Sequence, residues 1–168
     1  MSSQETKDRG TTMATSKCGL AVGTTSTITA ATATTYSIGG TAYTETLGSN
    51  QAHVTTDANT GVAFVAVAPG YGCALVYGFS SAATSMVCVQ GAPQALTGSS
   101  DGSAAACKFI TAPNFAAIPD NFCPIGYVIL KVGSAASAFT PGTSSWNASN
   151  VGTAAVSVLT LPPKPQVS

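Results

Sequence analysis

The chain has 168 residues, the usual size of one domain, and its 28 Ala, 24 Thr, 19 Ser and 17 Gly fill just over half of it. Charged residues make up only 7%, with six basic side chains balancing six acidic ones. That balance excludes a nucleic-acid binder, which neutralises phosphates with clustered Lys and Arg, and it excludes a polybasic membrane anchor.

Large apolar residues are scarce, but they gather into short runs and the net charge is zero, so the chain reads as folded and not as disordered. The N-terminal segment carries Glu5, Lys7, Asp8 and Arg9, and no apolar stretch of a secretory signal follows it. No window approaches the length of a membrane span. The expectation is a protein made in a cytoplasm whose Thr/Ser/Ala/Gly-rich surface suits use outside a cell, a combination that a virion protein satisfies.

In chain order, residues 1–13 read as a polar arm. From Cys18 to Thr35 the sequence is dense in Thr, Ala and Ser, and Leu20, Val22 and Ile28 on even positions predict a weak strand. Tyr36-Ser37-Ile38, Gly39-Gly40 and Thr41-Ala42-Tyr43 predict a hairpin with a two-residue turn, because both central positions of a type I′ turn need positive φ. Gly61 to Ala68 is a continuous apolar run closed by Pro69-Gly70, and it predicts a strand buried on both faces. Ala74 to Phe79 predicts a strand with Leu75, Tyr77 and Phe79 on one face, and Ser85 to Gln90 another.

Residues 93–124 read as loop, with one strand at Cys107–Ile110. Ile125 to Val132 predicts a strong strand, Tyr127 and Ile129 facing one way and Val128, Leu130 and Val132 the other. Phe139 to Thr143 predicts a type II turn, with Pro141 and Gly142 at its centre. A last strand is expected over Ala155–Leu161, and a stiff Pro-rich tail over 162–168. Regular turn-bounded strands without helical periodicity give an all-β fold: one antiparallel β-sandwich or barrel-like domain over 14–161, with extended arms at both ends.

Chemistry-bearing residues are few. Cys18, Cys73, Cys88, Cys107 and Cys123 form no Cys-x-x-Cys pair, so they read as small buried thiols and not as a metal or redox site. His53 is the one histidine. Asp57 lies four positions on, roughly 13 Å away in an extended segment, too far to orient His53 as a catalytic base. Asp101 and Asp120 sit in turn-like sequence, and the glycine-rich pieces match no phosphate-binding spacing. Asn147-Ala148-Ser149 fits a glycosylation pattern but follows no signal peptide. Tyr36, Tyr43, Tyr71, Tyr77, Tyr127 and Trp146 suit packing better than a sugar platform. No catalytic, cofactor-binding or metal-binding residue is assigned, no cofactor is expected, and the chain reads as a non-enzyme.

Four pieces, Tyr36-Ser-Ile-Gly-Gly-Thr-Ala-Tyr43, Val87-Cys-Val-Gln-Gly91, Pro124-Ile-Gly-Tyr-Val-Ile-Leu130 and Ala138-Phe-Thr-Pro-Gly-Thr143, together resemble small virion proteins of tailed bacteriophages, across residues 35–160. The resemblance implies a capsid decoration or cement subunit, a homotrimer bound to the major capsid protein lattice of the virion, with no nucleic acid or membrane as partner. It supplies no catalytic or metal-binding residue. The alternative is a tail or receptor-binding protein that uses Trp146 on a glycan. An ice-binding protein with regular Thr/Ala faces and a hydrolase built on His53 are further rivals. The two arms are expected to reach onto neighbouring subunits.

Overall fold

The computed structural model describes residues 12–81, 85–98 and 102–165. All regular structure among them is antiparallel β, and none of it is helical. Among the described residues, therefore, no helix is long and apolar enough to cross a membrane.

The first half of the chain builds two small sheets. Strands β1 (Met13–Ala14), β4 (Thr34–Ile38) and β5 (Thr41–Glu45) form one, in the order β1-β4-β5. Strands β2 (Leu20–Val22), β3 (Thr27–Ala30) and β6 (Gly48–Ala52) form the other. The expected hairpin is β4–β5: Ile38 pairs with Thr41, and Gly39 and Gly40 hold φ of 57° and 85°. The stretch expected as one weak strand is two, β2 and β3, which hydrogen-bond through the Gly23 N–H to the Thr27 carbonyl at their turn.

The second half builds a six-stranded sheet. Strand β7 (Tyr71–Ser80) lies beside β11 (Phe122–Val132), which carries β12 (Val151–Ser157) on its other side. The far flank of β7 pairs with β8 (Val87–Gln90) and β9 (Gln94–Thr97), and β9 pairs with β10 (Lys108–Phe109). One face of this sheet packs Cys73, Leu75, Tyr77, Phe79, Val128 and Leu130 against Ala14, Leu20, Ile28 and Tyr36 of the small sheets, forming the core of a sandwich. The opposite face buries Val76, Val89, Phe122, Tyr127 and Ile129 under Phe115, Ile118 and Leu161. Because both faces are covered, β7 and β11 read as nearly continuous apolar sequence.

A bulge in β11 sets its facing. Pro124 pairs with Gly78 and Gly126 with Tyr77, leaving Ile125 as the extra residue. The parity flips there, so Cys123 and Ile125 join the same core as Val128 and Leu130. The expected type II turn is present, with Gly142 at φ 82° and the Thr143 N–H donating to the Thr140 carbonyl at 3.2 Å.

Four expectations are corrected. Gly61–Ala68 is no strand: it makes isolated bridges at Ala63 and Val67, buries Phe64 and Val67, and leaves Val62 and Val65 exposed. Strand β9, inside the expected loop, is only Gln-Ala-Leu-Thr and alternates half-buried with exposed positions, so no apolar run marked it. The strand expected over Cys107–Ile110 keeps only its two central residues. The last strand is Val151–Ser157: the Val158 N–H makes the final bond of the β11 register, to the Ile125 carbonyl, and the chain bends at Leu159 and Thr160. Of the two expected arms, residues 1–11 and 166–168 lie outside the described residues. Met13 already pairs with Ser37, and Pro165 is buried.

Candidate functional site

His53 follows β6 and turns inward because its ring is surrounded by aromatic side chains. The Phe64, Tyr77 and Trp146 rings stand 5.7, 5.4 and 5.7 Å from it, centre to centre. Its Nδ1 meets the Val54 carbonyl, and its Nε2 lies 2.6 Å from the Tyr77 hydroxyl. A carbonyl can only accept, so Nδ1 carries the proton and Nε2 accepts from the tyrosine. Burial pushes the His53 pKa down, against the opposing pull of the Val54 carbonyl, and pushes the Tyr77 phenol well up. Both groups are therefore neutral, and the Cys88 thiol beside Tyr77 is kept protonated chiefly by burial.

His53 thus does meet a hydroxyl, but in a sealed place. His53 is 5% and Tyr77 1% exposed. Among the described residues, cavities of about 160, 270 and 420 Å³ are lined by residues other than these two. This cluster binds together the end of β6, the Phe64 loop, β7 and the Trp146 turn. Trp146 belongs to it: its Nε1 donates to the Thr27 carbonyl at 2.8 Å, and its ring packs on Phe139. It is 4% exposed, so the residue named for glycan stacking is a core residue. Tyr36, Tyr77 and Tyr127 are also buried, and Tyr71 is the exposed aromatic at 42%.

Asp57 does not approach His53 as an orienting carboxylate. It caps its own turn: Oδ1 accepts from the Asn59 and Thr60 N–H groups at 2.8 and 3.2 Å, and Oδ2 accepts from the Gln90 N–H at 2.6 Å. Asp120 sits in an exposed turn as expected, while Asp101 lies outside the described residues. The Asn147 side chain donates to the Thr24 carbonyl at 2.5 Å. All five cysteines are buried, as expected of small apolar thiols, and all five are free. Among the described residues, no three His, Cys, Asp or Glu side chains converge as metal ligands.

The surface feature that sequence reasoning missed is the segment after Asp57. Val62 and Val65 are each 63% exposed, yet the backbone that carries them is fastened. The Val65 N–H donates to Gln90 Oε1, and Gln90 Nε2 donates to the Val65 carbonyl, both at 2.8 Å. The Asp57 N–H also donates to the Val62 carbonyl at 2.8 Å. Beside these valines lies a shallow cavity of about 160 Å³ that also touches Ala63, Ala92 and Pro93. Turn residues in Asp57-Ala-Asn-Thr-Gly61 were the available signal that the apolar run begins in a loop. Compared with protein-family models, curated proteins and solved structures, the chain matches none.

Proposed function

We propose that the protein is a non-enzymatic structural subunit of a tailed-phage virion, one that decorates and stabilises the head by binding other copies of itself and the major capsid protein lattice. The observation that carries this reading is the pair Val62 and Val65, two exposed β-branched residues on a backbone fastened by Asp57 and Gln90. Exposed apolar side chains are ordinary when scattered. A rigid apolar prominence beside a groove suits association, since little conformational entropy is lost when it is covered. Low charge assists, because a chain of zero net charge has no long-range repulsion between copies.

The receptor-binding alternative loses its named residue, since Trp146 is in the core. The test is binding of the purified protein to empty capsids assembled from the major capsid protein of the phage that this reading assigns it to. Stoichiometric attachment that raises the capsid melting temperature supports a decorating role. Failure to attach, with the protein found on tails by labelled antibody, overturns it.

A further inference from the structure

The longest strand at an edge of the six-stranded sheet is β12, seven residues with a partner on one side. Its hydrogen-bond parity follows from the bonds at its two ends. The Gly133 N–H donates to the Asn150 carbonyl, and the Val158 N–H donates to the Ile125 carbonyl. Both pairs continue the β11–β12 register, so Gly152, Ala154 and Val156 aim their backbone groups at β11. Val151, Thr153, Ala155 and Ser157 aim theirs outward. The Val151 N–H is taken up by the Ala148 carbonyl, and the Ser157 hydroxyl accepts from the Leu20 N–H at 2.7 Å where β2 passes. Between those two ends, the outward N–H and C=O of Thr153 and Ala155 bond to no described residue.

Sheet proteins that stay monomeric protect such edges with lysine, proline, an inward charge or a covering loop. β12 has no charged residue and no proline, and it sits on the most deeply buried pair of strands in the molecule. Its sequence is made of Val, Gly, Thr, Ala and Ser, so a copy of itself opposes it without clash or like charge. We infer that β12 is an assembly edge, occupied by β12 of a second copy in antiparallel, two-fold pairing centred on Ala154. Thr153 then faces Ala155 of the other copy, and the converse pair forms by symmetry. Each pair exchanges two hydrogen bonds, and the two sheets become one. This inference rests on the assembly reading above and names a surface and a partner for it.

The test uses the full chain. Ala154 opposes its own copy at a non-hydrogen-bonded pair, where Cα atoms stand about 4.5 Å apart, within disulfide reach. Ala154→Cys is expected to give a covalent dimer on mild oxidation, while the wild type, whose thiols are buried, gives none. Ala155→Pro deletes an outward N–H and leaves the β11 ladder intact, so it is expected to shift sedimentation toward monomer with an unchanged β spectrum. Ala155→Lys, at an exposed position, is expected to do the same if the proline variant does not fold. An oligomer in which Ala154→Cys does not cross-link overturns the edge pairing and leaves assembly standing. A wild-type monomer at micromolar concentration overturns both.

Discussion

Gln90 acts toward Val65 as a strand would. Its side-chain amide gives the Val65 carbonyl a donor and the Val65 N–H an acceptor, both at 2.8 Å, while its own backbone N–H is held by Asp57. One side chain on β8 therefore fixes a loop that has no ladder of its own.

Replacing Gln90 with Glu keeps an acceptor for the Val65 N–H but sets a carboxylate against the Val65 carbonyl. The expected outcome is a loop freed without global unfolding. Stability should fall by about 1–2 kcal/mol, and amide exchange should quicken at Val65 while β7 and β11 stay protected. Unchanged exchange at Val65 would show that the amide clamp is dispensable.

Val62 and Val65 contribute little to the fold if their exposure reflects their role. The double variant Val62→Ser, Val65→Ser should keep its unfolding free energy within about 0.5 kcal/mol of wild type. Its attachment to capsids should nevertheless weaken by at least about tenfold, a loss of about 1.4 kcal/mol of binding free energy. Thermal unfolding and co-sedimentation measure the two effects separately. A large loss of stability with intact attachment would assign the valines to packing.

What sequence could reveal followed the distance over which each element is determined. The β4–β5 hairpin is settled by two adjacent glycines, and the 140–143 turn by Pro141 and Gly142, so both were legible. Facing in β7 and over Tyr127–Val132 of β11 was legible because alternation holds there, whereas the bulge at Ile125 reverses parity in a way only the pairing with Gly78 and Tyr77 reveals. Gly61–Ala68 misled because an apolar run signals burial only if a neighbouring strand accepts it. Here the neighbour is the side chain of Gln90, 25 residues on. The His53 cluster was illegible for the same reason: its members come from positions 53, 64, 77 and 146.

Gly142 shows a nearby constraint. Its φ is 82°, and a Cβ there would stand 2.3 Å from the Val54 carbonyl oxygen, next to His53. Gly142→Ala therefore combines a left-handed conformation with a backbone clash. It should cost about 2 kcal/mol or more, lowering the melting temperature by several degrees, and should disturb the tryptophan fluorescence of Trp146. An alanine variant as stable as wild type would mean that the 140–143 turn moves freely.

His53 makes stability depend on acid. Burial lowers its folded pKa below the ordinary 6.5, so between those two values the unfolded chain binds a proton that the folded protein refuses. The stabilisation is complete above pH 6.5 and declines as pH falls toward the lowered folded value. Tyr77→Phe leaves His53 Nε2 buried without its donor and should cost about 1–3 kcal/mol at neutral pH. His53→Gln should flatten the acid limb of the stability curve, which denaturant titrations at several pH values would measure. A slope between pH 6.5 and 5 that is the same with and without His53 would remove it as the cause.

The thiols act at the other end of the scale. Burial raises Cys73 to about 12 and Cys123 to about 11 from an ordinary 9.0, and burial, helped by Asp57 and Cys73 and opposed by the Tyr77 hydrogen bond, holds Cys88 well above 9.0 as well. A raised folded pKa means that the unfolded chain releases protons first as pH increases. The contribution of these thiols is therefore complete below pH 9, and the share carried by Cys73 and Cys123 is lost as pH climbs from there toward 12. The same burial keeps thiolate scarce and out of reach at neutral pH, so a thiol reagent should label the native protein slowly and all five cysteines rapidly in denaturant. Cys73→Ala should weaken the fold by the volume removed, about 1–2 kcal/mol, and should shallow the alkaline limb. Rapid labelling of the native protein at neutral pH would show that the sheet opens at Cys73 or Cys123 far more often than its packing implies, and would overturn the sealed core.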